Sequence, residues 1–168
     1  GTGADSMTGG NGSDTYYVDN TGDRVVETNT VASTGGTDLV LSYLSAYTLG
    51  SNIENGRIAA SGTANLTGNS LNNLLYAGAG NNVINASTGT DTLSYRYATA
   101  AVTLDLSKTT AQATGGSGSD TVSGVENLTG SNFNDRLTGS SSNNARSCNN
   151  TSSSNNTRSC TNACSSNQ

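Results

Sequence analysis

Through the first 138 positions apolar residues arrive singly or in short alternation, and the single ones keep a period. Met7, Tyr16 and Val25 stand nine apart, each two places after an acid, Asp5, Asp14 and Asp23. Leu75, Ile84 and Leu93 repeat the interval two places after Asn73, Asn82 and Asp91. Gly, Asn, Ser and Thr fill the gaps. These are turn formers, and Gly takes the positive φ angles that other residues resist. One apolar position in nine predicts a six-residue turn followed by a three-residue strand, its middle side chain inward and its neighbours outward. Leu39-Val40-Leu41-Ser42-Tyr43-Leu44 and Ala101-Val102-Thr103-Leu104-Asp105-Leu106 predict longer strands. Helix is disfavoured, because no segment sustains an apolar 3.6 period and Gly interrupts the chain up to Gly139.

Two such units make a coil of about 18 residues, and coils stacked about 4.8 Å apart through backbone hydrogen bonds give an all-β, parallel β-roll or β-solenoid. The pattern G-G-x-G-x-D-x-U-x, with U large and apolar, is complete at Gly9-Gly10-Asn11-Gly12-Ser13-Asp14-Thr15-Tyr16-Tyr17 and at Gly115-Gly116-Ser117-Gly118-Ser119-Asp120-Thr121-Val122-Ser123. A longer unit is duplicated as well. Asn65-Leu66-Thr67-Gly68 with Asn72, Asn73 and Leu75 returns as Asn127-Leu128-Thr129-Gly130 with Asn134, Asp135 and Leu137. The expected solenoid covers 1–138. In 139–168 the period changes to twelve, with Ser140 to Thr151 echoed by Ser152 to Cys160, and Arg146 stands where an inward apolar residue belongs.

Charge gives the turns a chemistry. All twelve acids lie between Asp5 and Asp135 and the net charge is −5, which disfavours nucleic acid and suits a hard cation held by carboxylate and carbonyl oxygens. A site needs turns on one side of successive coils, hence acids 18 apart. Asp5 and Asp23 meet that condition, whereas the position 18 after Asp14 is Ala32, leaving its site incomplete. Asn in place of Asp at 73 and 82 predicts weak metal binding there. The chain has no His and no nucleophile–base set, so catalysis is not expected. No apolar run nears the roughly 18 residues of a membrane span. Tyrosines 16, 17, 43, 47, 76, 95 and 97 form no single regular file that would make a sugar-binding strip, and outward Thr forms none that would order ice.

These residues resemble the hemolysin-type calcium-binding repeats of bacterial proteins exported by type I secretion, the repeats-in-toxin family, over about 1–144. Tyr47-Thr48-Leu49-Gly50-Ser51-Asn52-Ile53-Glu54-Asn55 and Gly124-Val125-Glu126-Asn127-Leu128-Thr129-Gly130 look like connecting coils of its very large members. The resemblance implies a right-handed β-roll, disordered in the low-calcium cytoplasm and folded by Ca²⁺ after export. By position it implies Asp5, Asp14, Asp23 and Asp120 as ligands, with Asp38, Asp91 and Asp135 in more degenerate repeats. The tail departs from the family and leaves three readings open: a thin solenoid extension with Cys148 over Cys160, a disordered tail glycosylated at Asn149, Asn150 or Asn155, or an unreliable stretch of sequence. Cys148, Cys160 and Cys164 allow one disulfide with a thiol left over. Beginning at Gly1, the chain reads as a processed product or a fragment. The expected role is a secreted, non-enzymatic structural module, a rigid spacer or a subunit of a surface fibre or layer that pairs head to tail. The alternatives are a segment of an adhesin that binds cell-surface or matrix glycans and, less favoured, an ice-binding solenoid.

Overall fold

The computed structural model describes residues 1–30 and 32–140, and the backbone of the strands Ala145–Ser147 and Ser159–Thr161. The first coils hold β1 (Ser6–Thr8), β2 (Thr15–Val18), β3 (Arg24–Val26), a single helical turn α1 (Ala32–Gly35), β4 (Leu39–Ser42), β5 (Ala46–Thr48) and β6 (Asn55–Ile58). The middle holds β7 (Ala64–Thr67), β8 (Leu74–Tyr76), β9 (Asn82–Asn85) and β10 (Thr92–Ser94). Then come β11 (Thr103–Asp105), β12 (Gln112–Gly115), β13 (Gly118–Ser123), β14 (Asn127–Thr129), β15 (Arg136–Thr138), β16 (Ala145–Ser147) and β17 (Ser159–Thr161).

Successive strands fall alternately on two faces, as the period of nine requires. One face is a seven-stranded sheet in the order β16-β14-β10-β8-β6-β4-β2, parallel throughout. The other carries the pair β1-β3 and the run β5-β7-β9-β13, also parallel. The chain is a β-solenoid with a core one side chain thick. Tyr16, Val40, Leu75, Leu93 and Leu128 line up inward on the first face, and Leu66, Ile84 and Val122 on the second, all buried. Gly56 takes the inward place between Val40 and Leu75, and Leu49 fills the gap: a Cβ on Gly56 would lie 3.0 Å from Leu49 Cδ2.

Two stretches depart from the regular coil. Thr15 pairs with Leu39, a coil of 24 residues, because the segment after β3 carries extra residues wound into α1. This one turn is the helix that the Gly-rich sequence disfavours. It folds back on the first nonapeptide turn, where Gly12 N–H donates to Thr34 O at 2.8 Å. Gly36, at φ 84°, sits so close that a Cβ would lie 2.5 Å from the Gly12 carbonyl oxygen.

The second departure is antiparallel. The complete motif at 115–123 forms a hairpin between β12 and β13, and Val102 bridges back to Gly115, which places β11 parallel to β13 and ready to pair with β15. A solenoid expected to be wholly parallel therefore contains one reversed strand, inserted as an extra layer. Beyond Thr138 the ladders continue in backbone only, Leu128 opposite Arg146 and Leu137 opposite Cys160. Cys148, Cys164 and the sequons at Asn149, Asn150 and Asn155 lie outside the described residues.

Candidate metal centre

The residue just before each strand of the seven-stranded face occupies the same place in its coil, and an acid there can only accept hydrogen bonds. Asp38 takes the backbone N–H of Asp14 at 2.8 Å, and Glu54 takes that of Asp38 at 2.9 Å. Further along, Asp91 takes Asn73 N–H and Glu126 takes Asp91 N–H at 2.8 Å. The acids thus stack as a file down one edge of the rod. The opposite edge carries a sparser file, with Asp23 accepting from Asp5 N–H, Asp120 from Asn82 N–H and Asp135 from Val102 N–H.

At the first long coil three carboxylates converge. Asp14, Glu27 and Asp38 each offer an oxygen, and these lie within 4.8 Å of one another, the one such group of three among the described residues. The extra residues after β3 are what bring Asp38, rather than Ala32, onto Asp14. This corrects the expectation that Ala32 stands opposite Asp14. Glu27 is buried and held by N–H groups of Gly10, Thr28 and Asn29 and by the Tyr16 hydroxyl. The Asn29 N–H first, then those of Gly10 and Thr28 with the Tyr16 hydroxyl, hold it below the ordinary carboxylate range against its own burial. Burial, aided by the charges of Glu27, Glu54 and Asp14, pushes Asp38 up. Burial also pushes the Tyr16 phenol up, so it stays a donor to Glu27.

The donor set fits a hard divalent cation. It is all oxygen, it concentrates negative charge that nothing in the described structure neutralises, and Gly9 leaves it room. A Cβ on Gly9 would lie 2.5 Å from Glu27 Oε2 and 2.7 Å from Asp14 Oδ2, closer than any side chain can sit. A groove of about 250 Å³ touching Asp38 and Glu54 gives solvent a path to this edge.

The remaining predicted positions differ. Asp23 is capped by Asp5, Asp19 and Asn20 N–H groups, Asp5 first, which hold its carboxyl low. Asp5 donates its backbone N–H to it, while the Asp5 carboxylate faces the Gly1 amine at 3.1 Å. Asp120 is wholly buried in the hairpin, its oxygens taken by Asn82 N–H and the hydroxyls of Tyr95 and Thr114, and burial raises its pKa to about 6. Asp135 is taken up by Val102 N–H and by Ser131 through both its N–H and its hydroxyl. Asp91, buried and pushed up by burial, keeps one oxygen, Oδ2, with no hydrogen-bond partner. Glu27, Glu54 and Glu126 were not among the expected ligands. The Ile53-Glu54-Asn55 and Val125-Glu126-Asn127 triplets carried the signal, since each Glu stands one place before a strand, where the nonapeptide has Asp.

The model of the RTX calcium-binding nonapeptide repeat matches four copies, over residues 1–25, 61–95 and 122–145, half of the chain. The chain belongs to the RTX repeat family. No curated protein and no solved structure matched it. RTX nonapeptide repeats bind calcium and form a parallel β-roll, and the family is typically structural and non-catalytic, its members typically exported by type I secretion. The match to the RTX repeats includes Asp5, Asp14, Asp23, Asp91 and Asp135 but passes over Asp38 and Asp120. No helix among the described residues is long and apolar enough to cross a membrane.

Proposed function

We propose that the chain is a non-enzymatic extracellular structural module, a β-solenoid stapled by calcium at its first coils, and that it serves as a rigid spacer or as a repeating subunit of a surface fibre or layer. The observation that supports this most is the meeting of Asp14, Glu27 and Asp38 across the first turns, with Gly9 leaving the space between them open. Without a cation the three carboxylates repel and oppose stacking of the coils. A bound calcium ion supplies the opposing charge, and its binding free energy becomes folding free energy. Asp14, Glu27 and Asp38 would hold it. An ion that is scarce before export and abundant outside then couples folding to location. The β1 and β2 strands end their ladders, and such edges favour pairing with another copy head to tail.

Isothermal titration of the full chain with calcium, magnesium as control, tests this reading together with small-angle scattering. Calcium-specific binding that extends a rod is expected, with at least tenfold weaker binding in Gly9→Ala. Equal binding of the two ions, or an affinity untouched by Gly9→Ala, would place the ion elsewhere. Scattering mass that grows with calcium selects the fibre over the spacer.

A further inference from the structure

The outer surface of the seven-stranded face is unlike the acidic edge. Its outward file runs Tyr17, Leu41, Arg57, Tyr76, Ser94 and Thr129, each in register with the next. Tyr97, in the loop after β10, folds back over this file. The Arg57 guanidinium lies 3.7 Å from the Tyr97 ring centroid, the Arg96 guanidinium 5.5 Å, and the Tyr76 ring is tilted against Tyr97 at 5.5 Å. Two of the tyrosines thus meet in space although they do not share a file in sequence.

Two cations sit on one ring here in a chain of net charge −5, and among the described residues neither makes an ion pair; the one pair formed is Gly1 with Asp5. Arg57 Nε is buried without a hydrogen-bond partner. Beside the rings runs a groove of about 260 Å³ lined by Tyr76, Ser94, Arg96, Thr129 and Asn132, among others, with no acid on its walls. That is below the size of a drug-like pocket and suits a single ring of a longer ligand. Tyr97 keeps 47 % of its surface exposed.

We infer that this patch binds a carboxylated saccharide, a uronate unit of an acidic polysaccharide. An apolar ring face stacks on tyrosine, a carboxylate answers guanidinium, and hydroxyls match Thr129 and Asn132. Nucleic acid suits the patch less, since its affinity rests on many phosphate contacts and the chain as a whole is acidic.

The test is calorimetry of the full chain, calcium held equal in cell and syringe, with trigalacturonic acid and with its methyl ester, which keeps the rings and removes the charge. Binding of the acid at least tenfold tighter than the ester is expected. Arg96→Gln and Tyr97→Ala should each weaken it at least tenfold with unchanged circular dichroism, while Lys108→Gln, which removes a cation outside the patch, should leave it unaltered. No binding, equal binding of the ester, or affinity indifferent to Arg96→Gln and Tyr97→Ala would overturn the assignment.

Discussion

The first coils and the middle coils solve the same problem with different atoms. At residues 9–54 the pre-strand positions of the seven-stranded face are Asp14, Asp38 and Glu54; Asp38 and Glu54 accept backbone N–H groups, and none of the three carboxylates has a hydrogen to give to a carbonyl. At residues 64–95 Asn takes over, and a carboxamide does both. Asn73 donates to the carbonyls of Ile53 and Glu54 while accepting from Asn69 N–H, and Asn82 donates to Ala64 O while accepting from Gly78 N–H. Asn69 adds donations to Gly50 and Ile53 carbonyls. The Asn73 and Asn82 turns are neutral and internally satisfied, and only Asp91 at the far end of this stretch carries a charge, one of its oxygens without a partner. The first turns carry crowded charge, which the proposed cation would balance. The proposed calcium staple belongs to the first coils, and the exchange of one oxygen for one NH₂ separates their turns from the Asn-bearing turns of the centre.

The comparison breaks most severely if the centre is given the chemistry of the end. Asn73→Asp removes the donors to two carbonyls and to Asn69 and buries a charge in a 2 % exposed site beside Asp91, so it should cost roughly 3 kcal/mol at neutral pH. Urea unfolding in chelator measures this, and the loss should shrink near pH 4, where the new carboxyl takes a proton. Converting the end to the chemistry of the centre is the reverse test. The double variant Asp14→Asn, Asp38→Asn should lose the rise in melting temperature that calcium gives the parent, a stabilisation of about 2.7 kcal/mol when calcium is at 100 times its Kd.

A smaller effect comes from Asp120. Its folded pKa of about 6 lies above the ordinary carboxylate value, so the folded state binds the extra proton. Its contribution is full below about pH 4 and is lost as pH rises through about 6, by about 1 kcal/mol once solvent screening is allowed for. Glu27 and Asp23, held low, work the other way and lose their contribution as pH falls. Melting at pH 4.5 and 7 in chelator should therefore show a component of the parent's pH slope that Asp120→Asn removes.

The period of nine made the inward file legible: Tyr16, Leu75, Ile84, Leu93 and Val122 all sit where it placed them, buried. Strands at 39–42 and 103–105 were legible too, from β-formers in partial alternation. What escaped was whatever broke the period. The longer coil that carries α1 moved Asp14's partner from Ala32 to Asp38, and periodicity has no means of measuring an insertion. Glu27 escaped because it stands away from the Asp position of the repeat; the 18-residue register of β1 and β3 sets it beside Gly9 and Gly10, and the insertion that follows brings Asp38 to join it. The hairpin at 112–123 escaped because Gly115 and Gly118, at φ 83° and 81°, serve a reversal as well as they serve a solenoid turn. The Arg57–Tyr97 contact is a meeting of a strand and a distant loop, and no local spacing announces it.

Hydrogen exchange of the full chain in calcium and in chelator tests the division most directly, because it reads both regions in one sample. The account predicts that on chelation the amides of residues 5–42 lose protection while those of 64–95 keep theirs, magnesium restoring little. Equal loss in both regions, or no loss in either, would contradict it.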